Sequence, residues 1–140
     1  SQMLCVVEEE LRQGFAFAKR HPHMVTILGS ARTLETDIYY QKARELGRAL
    51  AEELSVAVAT GGGPGIMQAA NQGTKEAGGH SLGMTIKLPT EQHTNPYVTE
   101  AMDFHYFFTR KVIMTYTAKM LFIFREDLVH SMNFLKLTLR

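Results

Sequence analysis

Gly61-Gly62-Gly63-Pro64-Gly65, set directly after the apolar run Val56-Ala57-Val58-Ala59-Thr60, is the stretch of this sequence best suited to chemistry. Glycines let a backbone turn tightly and let a ligand approach the main chain. A helical pattern opens at Pro64, and proline suits the first turn of a helix, where its missing N–H costs nothing. A strand, a glycine loop and a helix start, in that order, aim free N–H groups and the positive end of the helix dipole at one spot. The chemistry on offer is anion binding, and a phosphate is the anion it suits. A glycine-rich turn without a ligand is the alternative reading of the same residues.

Two common nucleotide motifs are excluded. The dinucleotide fingerprint G-x-G-x-x-G, begun at Gly61, needs glycine at position 66, where Ile66 stands. No acidic residue lies between His80 and Thr90 to hold a ribose hydroxyl. No Gly-Lys-Ser/Thr follows the glycines, which excludes the phosphate loop of the nucleoside triphosphatases. A nucleoside monophosphate or another small phosphate fits better than NAD.

Two further groups could serve such a site, and a third stretch bears on metal binding. Gly29-Ser30-Ala31-Arg32 follows a short apolar run, and in an open parallel sheet ligands bind beyond the carboxyl ends of strands. Ser30 and Arg32 are thus placed for a polar ligand, or form an ordinary strand-end turn. Thr109-Arg110-Lys111 reads as a helix start with Thr109 as N-cap. Two cations there oppose the helix dipole unless an anion joins them, so Arg110 and Lys111 are functional candidates. His21-Pro22-His23 has no third metal ligand in sight and reads as a solvated loop. No metal site is expected.

The elements that must carry these residues follow from periodicity. Residues 3–20 form an amphipathic helix through Leu4, Val7, Leu11, Phe15 and Ala18, weakened by Gly14; it lies outside the main layers or packs against a second subunit. Residues 24–28 make a first buried strand, and residues 36–54 a helix capped by Thr36 or Asp37. A second strand over 56–60 leads into the glycines, and a helix follows over 64–77 until Gly78-Gly79 stops it. Ile66, Met67, Ala70 and Thr74 make a stripe that faces the sheet as core. Residues 81–86 form a third strand, 87–96 a polar loop of the kind that often lines sites, and 103–108 a fourth strand or extended segment. A helix to about residue 119 and a fifth strand over 120–124 complete the alternation, which predicts an α/β doubly wound parallel sheet.

Composition bounds the rest. With 140 residues, one domain is expected, preceded by a helix and linker over residues 1–23. A hydrophobic content of 45% suffices for a core. A net charge of +1 argues against a general nucleic-acid surface, while leaving room for a local cationic pocket. The apolar runs are too short to span a bilayer, so no membrane partner is expected. Cys5 is the single cysteine, which fits a reducing cytoplasm. The sequence calls for no cofactor.

Taken in order, Gly29-Ser30-Ala31-Arg32, Thr60 to Met67, Ala77-Gly78-Gly79, Leu88-Pro89-x-Glu91-Gln92-x-x-Asn95-Pro96-Tyr97 and Phe104 to Lys111 resemble the "lonely guy" (LOG) family, long mislabelled lysine decarboxylase-like. The likeness runs from about Met24 to Phe124. It implies a Rossmann-like fold and a homodimer. It also implies hydrolysis of the N-glycosidic bond of a cytokinin riboside monophosphate or AMP to free base and ribose 5-phosphate. Non-catalytic nucleotide binding is the alternative. By position, Gly61, Gly62, Gly63 and Gly65 match the family's first glycine motif, Arg110 its functional arginine and Lys111 its partner. A decarboxylase is disfavoured, since no lysine has the setting of a Schiff base. The family's second motif, Pro-Gly-Gly-x-Gly-Thr-x-x-Glu, should follow the fifth strand and supply the catalytic glutamate. Arg125-Glu126-Asp127 stands there instead, and Glu126 comes too early to inherit that role. Either residues are missing after Phe124, leaving the C-terminal part truncated or incomplete, or the protein is a divergent binder without turnover.

Overall fold

A computed structural model of the protein describes residues 1–87, 93–117 and 119–124. Among the described residues nine elements follow one another as α1 (Gln2–Arg20), β1 (Met24–Gly29), α2 (Ile38–Leu54), β2 (Ala57–Thr60), α3 (Ile66–Glu76), β3 (Ser81–Ile86), β4 (Glu100–Phe104), α4 (Phe107–Thr117) and β5 (Met120–Phe124), helix and strand alternating except where β4 follows β3 directly. The described strands pair in parallel, in the order β4-β3-β2-β1-β5. The order reverses between β1 and β5, the kind of switch point beside which open α/β sheets bind ligands. The expected Rossmann-like sheet is present.

Alternating strand residues feed two cores, as a sheet covered on both faces requires. Val25, Ile27 and Val58 pack with Tyr40, Leu46 and Leu50 of α2 and Ile66 and Ala70 of α3. Met24, Ala57, Ala59, Leu82 and Met84 pack with Phe17 of α1 and Ile113 and Met114 of α4. Helix α1 is thus part of a main layer. Gly14, which weakens the helix on propensity alone, sits where α1 meets Ile113 of α4.

Element ends depart from the sequence-based expectation at several points. Asp37 caps α2, its carboxylate accepting from the Tyr39 N–H at 2.9 Å, so the helix starts at Ile38. Gly65 is the N-cap of α3, and Pro64 lies just outside the helix. The fourth strand is Glu100–Phe104, upstream of the aromatic run that suggested it, and α4 already begins at Phe107. Thr109 is therefore inside α4, buried, and is not its N-cap. His21 is buried, with Nε2 2.9 Å from a Glu100 carboxylate oxygen; it is not part of a solvated loop. No described helix is long and apolar enough to cross a membrane.

Candidate functional site

The loop after β2 is a built structure. Gly62 and Gly65 have φ of +81° and +73°, which favour glycine. A Cβ on Gly65 would lie 2.3 Å from the Ser30 carbonyl oxygen, and that oxygen accepts the Ile66 N–H at 2.9 Å. The loops after β1 and β2 are thereby fastened to one another at the start of α3. Among the described residues, the N–H groups of Gly63, Gly65, Met67 and Gln68 have no hydrogen-bond partner. Unpaired donors at a helix start are what an anion would use.

A buried polar network fixes the far side of this loop. Asn71, on the sheet-facing side of α3, is fully buried. Its Oδ1 accepts from the Thr60 hydroxyl at 2.6 Å and from Asn95 Nδ2 at 3.1 Å. Its Nδ2 donates to Ser81 Oγ at 2.8 Å and to the Leu82 carbonyl at 3.1 Å. Thr60 Oγ1 in turn accepts the Gly62 N–H at 3.0 Å. Asn95 donates from its main chain to the Gly62 carbonyl at 2.8 Å and from Nδ2 to the Gly63 carbonyl at 3.0 Å. With the loop carbonyls drawn toward Asn95, the glycine backbone is held in one conformation.

Arg110 comes to this loop from α4. A Cβ on Gly61 would lie 2.2 Å from Arg110 Nη2 and 3.5 Å from Cζ, so the guanidinium rests directly against the Gly61 backbone. Arg110 Nε is shielded from solvent and has no hydrogen-bond partner among the described residues. Burial pushes the Arg110 pKa down, yet arginine keeps its proton near neutrality. Arg110 makes no ion pair among the described residues. A half-buried cation with no carboxylate beside it is costly unless an anion completes it.

Gly61, Gly63, Pro64 and Arg110 line a cleft of about 500 Å³ together with Ala31, Met67, Ile86, His93 and Phe107. That volume is within the usual range for small-molecule sites. Met67 therefore lines the cleft, and the expectation that its stripe is purely core holds only for Ile66, Ala70 and Thr74. A second, apolar groove of about 360 Å³ lies between α4 and the sheet, walled by Leu28, Met114 and Leu121. It shares Phe107 and Arg110 with the cleft.

Of the residues picked out from sequence, Gly61, Gly62, Gly63, Gly65 and Arg110 converge on one place. Lys111 is exposed and faces the neighbouring groove. Ser30 and Arg32 sit at the rim beside Ala31, and the Ser30 hydroxyl accepts the Arg32 N–H at 3.1 Å. Neither side chain lines the cleft. Glu126 and the sequence standing where the second motif was expected lie outside the described residues, as do Leu88, Pro89, Glu91 and Gln92. Asn71 and His93 were not singled out by sequence, and Asn95 figures there only as part of the loop motif that carries the LOG resemblance. For Asn71 a signal existed: an amide beside the apolar stripe of α3.

A parallel sheet with a fixed glycine loop and a cation at its carboxyl rim defines a Rossmann-like α/β architecture. The chain belongs to the SLOG cluster4 family, whose sequence profile matches residues 22–126. This agrees with the LOG resemblance. A search of curated proteins found no match. Among solved structures, the X-ray structure of TM1055 is similar at 28% identity and TM-score 0.60, over 72% of this chain and 59% of that one. The molybdenum cofactor carrier protein of Chlamydomonas reinhardtii is similar at 27% identity and TM-score 0.60, over 73% and 62%. The molybdenum cofactor binding protein of Rippkaea orientalis shares the fold at 24% identity and TM-score 0.60, over 73% and 61%. The matches thus span about three fifths of these neighbours' length.

Proposed function

We propose that the cleft binds a nucleoside 5′-monophosphate, with its phosphate on the glycine loop and Arg110 as the counter-charge. The observation that carries this reading is the guanidinium lying against Gly61 with no ion pair among the described residues. Gly61 and Gly62 let a ligand approach the main chain closely, the N–H groups of Gly63 and Gly65 supply donors, and the Arg110 fork matches phosphate geometry. Lys111, Ser30 and Arg32 contribute from the edge, the two cations by attraction over distance. Phe107 and Met67 offer apolar walls for a flat base. The neighbour from Chlamydomonas is a carrier, which favours holding a ligand over converting it.

A second reading is hydrolysis of the N-glycosidic bond, and the ordered family motifs with Arg110 favour it. Water would add at the anomeric carbon as the base departs with a proton. Such reactions pass through an oxocarbenium-like centre and commonly use a carboxylate. The cleft-lining residues include no carboxylate among the described residues. In this reading His93 protonates the departing base and Arg110 holds the phosphate. A cytoplasmic homodimer belongs to the same proposal, through the family resemblance.

Incubation with AMP tests both readings. AMP retained in equilibrium dialysis with no adenine on chromatography supports binding alone. Adenine release that depends on Arg110 supports hydrolysis. Absence of both retention and release overturns the nucleotide reading.

A further inference from the structure

We infer that Glu10 of α1 is a positioning residue for Arg110, setting where α4 holds that guanidinium over the glycine loop. Arg110 makes no side-chain hydrogen bond among the described residues, so no such bond from them aims its tip. Its direction is set by the backbone of the first turns of α4 and by contact with Gly61.

Glu10 is 6% exposed and reaches across from α1 to the approach to α4. One carboxylate oxygen accepts the His105 main-chain N–H and His105 Nδ1 at 2.8 Å, and the other accepts the Thr109 hydroxyl. An ionised carboxylate only accepts, so His105 carries its proton on Nδ1 here. Three donors on either side of the start of α4 thus converge on one buried group. Burial alone would raise the Glu10 pKa, but the hydrogen bonds from Thr109 and His105 outweigh it and hold it low.

A second contact lies one turn on. A Cβ on Gly14 would lie 2.5 Å from Ile113 Cγ1, so α1 and α4 touch closely there. Glu10 to Gly14 and Thr109 to Ile113 are both steps of four residues, one helical turn. The two helices are therefore locked in register at two points. Arg110 falls between these points and adjoins Thr109. Sliding or rotating α4 by one residue would break both contacts and carry Arg110 off Gly61.

The role of Glu10 rests on the proposed function only for its effect on ligand, and the test separates the two. Glu10→Ala, Glu10→Gln and Thr109→Val are compared with wild type and with Glu76→Ala. The last breaks the Arg44–Glu76 pair between α2 and α3, on the other face of the sheet. The first readout needs no ligand: the Arg110 Nε–H resonance in ¹⁵N-labelled protein, identified by its loss in Arg110→Lys. We expect it to shift and exchange faster in Glu10→Ala and Thr109→Val, to recover partly in Glu10→Gln, and to stay put in Glu76→Ala. The second readout is AMP affinity. Glu10→Ala should weaken it about tenfold, the scale of one lost charge-assisted hydrogen bond, and should add nothing in an Arg110→Ala background. If Glu10→Ala fails to fold, Thr109→Val decides the matter. An unmoved Arg110 resonance in folded Glu10→Ala or Thr109→Val overturns the inference, as does an undiminished Glu10 effect without Arg110. Failure of wild type to bind AMP overturns the nucleotide reading, while the resonance still decides the role of Glu10.

Discussion

At the residue scale, function and stability pull against one another at Arg110. A guanidinium half out of water, with no carboxylate beside it among the described residues, is a cost to folding that an anion would relieve. Arg110→Ala should therefore weaken AMP binding by about 10- to 100-fold, as expected from loss of charge-assisted hydrogen bonds worth roughly 1.5–3 kcal/mol. Its melting temperature should hold or rise; a clear fall in differential scanning calorimetry would contradict this. Gly61→Ala tests the same contact from the other side. Its Cβ would meet the far end of a flexible side chain, Arg110 Nη2, which can swing away. The variant should lose AMP affinity about as Arg110→Ala does, with a loss of stability below roughly 1 kcal/mol in urea unfolding, typical of a change that strains no core packing. Full affinity in Gly61→Ala would mean that the guanidinium is not needed where it lies.

At the element scale, the loop after β2 owes its shape to α3 and to Asn95 as much as to its own glycines. Asn71→Ala would leave the Thr60 hydroxyl, Ser81 Oγ and Asn95 Nδ2 short of partners inside the protein. We expect a loss of about 2–4 kcal/mol, the range for breaking a buried polar network, read as a fall in urea midpoint. AMP binding should weaken in the protein that remains folded. A change below about 0.5 kcal/mol would show that the network is not what holds the loop. The alternation of elements was legible because Tyr39 to Leu54 and Met24 to Leu28 carry clean periods, and a buried parallel sheet uses continuous apolar strands. The ends of β4 and α4 were not. The aromatic run Phe104-His105-Tyr106-Phe107-Phe108 looks like a strand by propensity, but tertiary packing puts Phe107 and Phe108 on an exposed helical turn. Thr109 resembles a cap by residue type, whereas its hydroxyl serves Glu10, 99 positions away in the chain. Gly61 and Arg110 were legible as separate motifs; their contact depends on the α1–α4 packing, which no local pattern encodes.

At the scale of the whole molecule, three glutamates tie distant segments together, and all three sit below the ordinary carboxyl value of 4.5. For Glu10 burial acts upward and the Thr109 and His105 hydrogen bonds prevail; for Glu76 the cause is Arg44, and for Glu100 it is Arg20. A carboxyl with a lowered folded pKa stabilises above its unfolded value and loses that contribution as pH falls through the folded one. The melting temperature should therefore change little from these groups between neutrality and pH of about 5, then fall as acidity increases. Glu10→Gln should make that acid limb shallower, and an unchanged limb would show that Glu10 is not depressed. Ligand linkage acts on the same quantity: AMP at about 100 times its dissociation constant should stabilise by about 2.7 kcal/mol. The central claim is that a fixed glycine loop and the Arg110 guanidinium together grip a phosphate at the carboxyl rim of the sheet. Calorimetric titration of wild type and Arg110→Ala with AMP and with adenosine tests it most directly. The account predicts that AMP binds wild type, that adenosine binds far more weakly, and that Arg110→Ala loses most of this difference. Adenosine binding as tightly as AMP, or an Arg110→Ala variant that discriminates as wild type does, would contradict it.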